Sequence, residues 1–167
     1  MTTSDQSIHV VPARPADVPD ILRCIQALAE FERLGGACVA TEALIRETLF
    51  GPDPAAEVLL ARQGGETAGF ALWYRNYSTF LARPGIHLED LFVFPAWRGQ
   101  GLGTRLLAEL AHLAVARGYG RLEWAVLDWN ADAIRFYQSL GAERLDDWTT
   151  FRLTGAALQN LGQHSSG

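Results

Sequence analysis

The sequence holds 167 residues, a size at which one chain buries a sizeable core without disulfide or metal staples. Hydrophobic residues make up 49% and charged residues 20%, which excludes the disordered and fibrous classes. The 14 basic and 19 acidic residues give a net charge of −5; no basic run follows a phosphate backbone, so nucleic acid is not an expected partner and a cationic ligand is favoured.

The interior alternates strand and helix patterns, the signature of an α/β domain. Residues 1–7 read as a loose N-terminus. "SIHVVPA" (7–13) predicts the first strand. In "DVPDILRCIQALAEFE" (17–32), Asp17 stands as a cap, Pro19 falls in the first turn, and Ile21, Leu22, Ile25, Leu28 and Ala29 repeat at helical spacing. "TEALIRETLF" (41–50) is a second helix capped by Thr41 and stopped at Gly51.

"AEVLLAR" (56–62) and "TAGFALWYRNY" (67–77) are apolar strands joined by a glycine-bearing hairpin turn, and "HLEDLFVF" (87–94) is a further strand closed by Pro95. From Thr104 a long helix carries Leu106, Leu107, Leu110, Leu113 and Ala114 on one face and ends at Gly118. "RLEWAVLD" (121–128) predicts a strand, "NADAIRFYQSLGA" (130–142) a helix capped by Asn130 and stopped by Gly141, and "DWTTFRL" (147–153) a last strand. Residues 155–167 read as a C-terminal tail.

Cys24 and Cys38 form no CxxC pair, which points to a reducing compartment. His9, His87, His112 and His164 lack metal-ligand spacing, so no metal is expected. The opening residues lack a basic region followed by an apolar core, and Glu109, His112 and Arg117 interrupt the longest apolar helix. A cytoplasmic protein without a membrane span is the expectation.

Between the strand ending at Phe94 and the long helix stands "RGQGLG". Glycines before a helix N-terminus are suited to an anion, because unpaired N–H groups and the helix dipole both favour negative charge. The spacing fits neither the GxGxxG dinucleotide fingerprint nor the GxxxxGK[ST] phosphate loop. Arg98, Gly101 and Gly103 instead form RxxGxG, which resembles the coenzyme A loop of the GNAT superfamily of N-acetyltransferases. The order of elements over residues 8–154 and the segment "WNADAIRFYQSLGA" are similar to that superfamily as well. "LAEFE" and "HLEDLFVFPAWRGQGLG" resemble, more narrowly, its diamine (spermidine/spermine) and thialysine acetyltransferase branch.

The resemblance implies a single-domain GNAT fold, with a mixed, largely antiparallel sheet of six to seven strands flanked by about four helices, over residues 8–154. It implies acetyl-CoA as cofactor and a small-molecule primary amine as substrate, attacked directly in a ternary complex. The backbone of Leu91, Phe92 and Val93 would meet the pantetheine arm. The loop from Arg98 through Gly99, Gln100, Gly101, Leu102, Gly103 and Thr104 would hold the diphosphate, with Asn130 and Ala133 as further cofactor contacts. Arg98 has two readings, beside the diphosphate or packed across the strand end, and Asn130 serves equally as a helix cap.

An alkyl ammonium with a pKa of about 10.4 must lose a proton before it attacks, a cost of roughly 4 kcal/mol near neutral pH. Glu89 and Asp90 are the candidate proton acceptors, directly or through water. Consecutive strand residues point to opposite faces, so both serve one cleft only across a β-bulge, which the resemblance also implies. Tyr137 is the candidate general acid for the leaving thiolate, with a core tyrosine as the alternative.

Phe31, Glu32, Glu123 and Trp124 match substrate-lining positions of the branch, although Glu32 also suits a helix surface and Trp124 a sheet core. "RLGGACVA" (33–40) departs from the branch and leaves a diamine, a thialysine-like amino acid, an aminoglycoside and a protein N-terminus all open. A coenzyme A sensing module without turnover is the competing class. The resemblance further implies a homodimer, for which Trp148 and Phe151 are candidate interface residues.

Overall fold

The computed structural model describes residues 7–165. The loose N-terminus expected over 1–7 lies, except for Ser7, outside them. Five strands form, β1 (His9–Pro12), β2 (Glu57–Gln63), β3 (Glu66–Ser78), β4 (Arg83–Val93) and β5 (Leu122–Trp124), in the sheet order β1-β2-β3-β4-β5. The first four are antiparallel and β5 joins β4 in parallel, so the sheet is mixed and largely antiparallel, as expected for an α/β chain. Gly64 and Gly65 turn the β2–β3 hairpin with φ of 56° and 88°, the pair of positive values that a two-residue hairpin turn of matching twist requires.

The helices are α1 (Val18–Phe31), α2 (Glu42–Phe50), α3 (Leu102–Ala116), α4 (Ala131–Ser139) and α5 (Gly155–Gly162). Thr41 Oγ1 accepts from Leu44 N at 3.2 Å and Asn130 Oδ1 from Ala133 N at 3.2 Å, so both predicted caps are in place. Asp17 precedes α1 without capping it: its carboxylate accepts from Arg14 N at 2.8 Å and pairs with Arg62 at 2.7 Å.

Five expectations need correction. The sheet has five strands rather than six to seven. β5 stops at Trp124, four residues short of the predicted end, and 147–153 is irregular backbone that belongs to no ladder among the described residues. Alternating apolar residues make a strand possible, but only ladder hydrogen bonds make it one; Trp148 and Phe151 stand 81% and 92% exposed instead. The predicted tail forms a fifth helix, α5, and α3 starts two residues before Thr104, with Gly101 as its N-cap.

The chain divides into two compact units, one ending at Ala125 and the other starting at Val126. The sheet and α1 to α3 lie in the first, and α4 and α5 in the second. On one face of the sheet Val58, Leu60, Phe70 and Phe92 pack with Val18, Ile21, Cys24 and Leu28 of α1 and Ile45 of α2. Strand alternation sends Leu59, Ala61, Trp73 and Leu88 to the other face, where the apolar stripe of α3 covers them. Burying each Val, Leu, Ile or Phe among them stabilises the unit by about 2 kcal/mol. No helix among the described residues is long and apolar enough to cross a membrane.

Candidate functional site

β4 carries a bulge. Leu72 faces Asp90 and the next residue, Trp73, faces Leu88, so Glu89 has no partner on β3. One extra residue brings two consecutive side chains to one face. Asp90 shares the face of Leu72, which packs against the α1 core. Glu89 shares that of His87, whose Nε2 lies 3.6 Å from its Oε2, and His87 faces Tyr74, two residues from Leu72. Glu89 and Asp90 therefore both look toward the end of α1, where Glu32 is the C-cap.

The three carboxylates sense one another. Burial, followed by the charges of Glu89 and Glu32, pushes the Asp90 carboxyl up to about 6. Burial, then Glu89, raises Glu32 as well. A carboxylate tuned toward neutrality by desolvation and like charge is a fitted acceptor for a proton from an ammonium group.

Beyond the bulge no strand among the described residues pairs with the β5 side of β4. β5 pairs with β4 only at Ile86, His87 and Leu88, so Leu91, Phe92 and Val93 lie past the last ladder pair on that edge. An unpaired strand edge is a row of main-chain donors and acceptors, which suits the amide groups of a pantetheine arm. Arg98 braces its end: Nε donates to the Val93 carbonyl at 2.9 Å, and the guanidinium lies 5.2 Å from the Phe31 ring centroid and 5.4 Å from that of Phe92. That is packing across the strand end. Phe31 and Phe92 are themselves 6.4 Å apart, which closes one wall beside the carboxylates.

Gly99 and Gly101 adopt φ of 77° and 75° with open space where a Cβ would stand, the left-handed conformation that glycine enters without strain. Gly101 starts α3, and no side chain caps the helix. The N–H groups of Leu102, Gly103 and Thr104 consequently lack intrahelical partners, and Gln100 and Thr104 are exposed beside them. A bare amide-lined turn at a helix N-terminus fits a diphosphate.

Glu123 pairs in register with His87 and lies on the carboxylate face of the sheet, whereas Trp124 aligns with Leu88 and points to the opposite face. The structure thus brings Phe31, Glu32, Glu89, Asp90 and Glu123 to one face and leaves Trp124 off it. Two residues that sequence reasoning passed over join them. Tyr74 and His87 stack with ring centroids 4.9 Å apart, and the Tyr74 hydroxyl is raised by burial, then by Glu89 and Glu123. Their signal was the period-two spacing of Tyr74 with Leu72 and of His87 with Glu89, legible only once the register is known.

In the second unit Asn130 caps α4 and holds the amide of Ala133, which removes that donor from other use. Tyr137 sits on α4, partly buried, with its ring 5.4 Å from that of Phe136.

The model of the acetyltransferase (GNAT) family matches residues 25–142. The mouse (Mus musculus) thialysine N-epsilon-acetyltransferase is 37% identical over 93% of this chain and 97% of its own length. The L-ornithine N5-acetyltransferase of Arabidopsis thaliana is 35% identical over 89% of this chain and 85% of its own length. An integron cassette protein of V. cholerae shares the fold, with a TM-score of 0.81 at 24% identity over 94% of this chain and 98% of that one.

Proposed function

The chain belongs to the acetyltransferase (GNAT) family, N-acetyltransferases that take the acetyl group from acetyl-CoA, and on that premise we propose that it acetylates a primary amine of a small molecule, of the diamine or thialysine-like amino acid class. The observation that carries this reading is the bulge that turns Glu89 and Asp90 to one face beside Glu32. An acidic, partly desolvated cleft selects a cation and then takes its proton. The names of the relatives, which act on thialysine and on ornithine, point to the same substrate chemistry.

In this reading residues 8–154 form the acetyltransferase domain. The amides of Gly99 to Thr104 hold the diphosphate, and the open edge from Leu91 to Val93 holds the pantetheine arm. Phe31, Glu32 and Glu123 line the amine side. The cofactor supplies the activated acetyl thioester. Asp90, assisted by Glu89, accepts the ammonium proton so that the free amine attacks directly, and Tyr137 Oη supplies the proton that the departing sulfur needs. Asn130 positions α4 by capping it.

Thiol release from acetyl-CoA with a panel of diamines, amino acids with terminal amines, aminoglycosides and a peptide amine tests the assignment. Release with a diamine or a lysine-like amino acid is expected, and release with the peptide or aminoglycoside alone overturns it.

We also infer a homodimer in the cytoplasm. Support for the dimer is the exposure of Trp148 and Phe151 in one short segment, since an apolar cluster of that kind favours burial against a partner. Sedimentation at micromolar concentration checks it: a dimer is expected, with Trp148→Ser/Phe151→Ser shifted toward monomer, and a monomeric parent protein removes the claim.

A further inference from the structure

Asn76 on β3 bonds to Glu123 on β5, although β4 runs between them. Its Nδ2 donates to Glu123 Oε1 at 2.6 Å. The crossing is possible because the β4 residue opposite Asn76 is Gly85: a Cβ there would stand 2.7 Å from Asn76 Oδ1 and 3.0 Å from the Arg121 carbonyl. Any other residue at 85 would block the amide from passing over the strand. The Asn76 Oδ1 atom is buried without a hydrogen-bond partner, a cost of about 1 to 3 kcal/mol that the fold accepts in order to place the amide there.

Arg121 approaches the same Glu123 oxygen, at 3.3 Å. Both donors thus engage Oε1. Glu123 lies on the face of Glu89, in register with His87, and Tyr74 feels the charge of both carboxylates. Two carboxylates thus share one face, with the Tyr74–His87 pair beside them. An alkyl chain with a cation at both ends matches this arrangement, because a ring face attracts a cation and covers the methylenes between.

We propose that Asn76 is a positioning residue that, with Arg121, fixes Glu123 as a second anionic contact, one that takes the substrate's non-reacting cationic group while the reacting amine lies at Glu89 and Asp90. The inference rests on the amine-acetylation reading and adds to it a requirement for a second cation. Selectivity then follows from two charge contacts at a fixed separation: a monoamine makes only one of them.

Calorimetric binding of pentylamine, cadaverine and L-lysine to the intact protein tests this, repeated as acetylation kinetics with acetyl-CoA. Cadaverine is pentylamine with a second ammonium, and lysine is cadaverine with a carboxylate. The wild type should bind cadaverine about ten-fold or more tightly than pentylamine. Asn76→Ala and Glu123→Gln should each cut that preference to about three-fold or less, and the double variant should lose no more than either alone. In kinetics the loss should appear in KM for the dication rather than in kcat. Asn76→Asp, which sets a carboxylate against Glu123, should abolish the preference too, and thermal melts confirm folding of each variant.

Lysine binding as tightly as cadaverine would identify the second cation as an α-ammonium, and weaker binding would identify it as a simple diamine. The proposal is overturned if Asn76→Ala keeps the wild-type preference, or if it weakens pentylamine as much as cadaverine. Should none of the amines be acetylated, the acetylation reading falls, while the binding preference still decides the role of Asn76.

Discussion

Glu89 and Asp90 are adjacent in the chain and yet share one face of the sheet, because Glu89 is the extra residue of a bulge in β4. Burial first, and then their proximity to each other and to Glu32, raises the Asp90 carboxyl to about 6.

That shift has a stability consequence with a definite sign. A carboxyl whose folded value exceeds its unfolded value is destabilising when ionised. The penalty fades as pH falls through the ordinary carboxylate value of about 4, since the group becomes protonated in both states, and the full penalty stands above the folded value of about 6. Asp90→Asn should therefore stabilise the protein by about 3 kcal/mol at pH 8, with the gain shrinking as pH falls toward about 3. Urea melts of both proteins across that range check this. The same substitution should remove most of the acetylation activity.

Tyr137→Phe removes a hydroxyl and keeps the ring that packs beside Phe136. Turnover should fall by roughly ten-fold or more, with the melting temperature nearly unchanged. Steady-state kinetics at saturating acetyl-CoA measure it, and wild-type turnover would remove Tyr137 from the reaction.

Gly101 holds φ of 75° at the N-cap of α3 in open space. A methyl group there meets no atom, so Gly101→Ala isolates the backbone term: a loss on the order of 1 kcal/mol from placing an L-residue in the left-handed region. The KM for acetyl-CoA should rise by about ten-fold as the loop leaves its diphosphate-binding shape. Melts and cofactor titration separate the two effects.

Arg33 follows Glu32 with φ of 62°. Its amide donates to the Glu30 carbonyl at 3.0 Å and that of Leu34 to Ala29 at 2.8 Å, the hydrogen-bond pattern of a helix C-terminus that ordinarily employs glycine. Arg33→Gly should stabilise the protein by on the order of 1 kcal/mol, read as a higher urea midpoint.

Much of the local structure was legible because local chemistry specifies it. Thr41 and Asn130 cap because their side-chain oxygens reach the amides three residues on, and Gly64–Gly65, Gly118 and Gly141 turn because they enter positive φ. The failures share one cause. The run 147–153 has a strand's apolar pattern and no ladder, and the predicted tail forms α5 although Thr154, its N-cap, makes no side-chain cap hydrogen bond. Pattern reports what a segment can bury, and pairing depends on what lies beside it.

By itself the sequence determined the α/β order, the glycine turn before α3 and the presence of adjacent carboxylates, since each depends on residues within a few positions of one another. Only the tertiary structure decided which faces those residues share: that Leu72 opposes Asp90, that Tyr74 and His87 floor the acidic face, and that Asn76 crosses Gly85 to Glu123. Register between strands distant in the chain is fixed by packing on both sheet faces at once, and a shift of one residue would turn every side chain over.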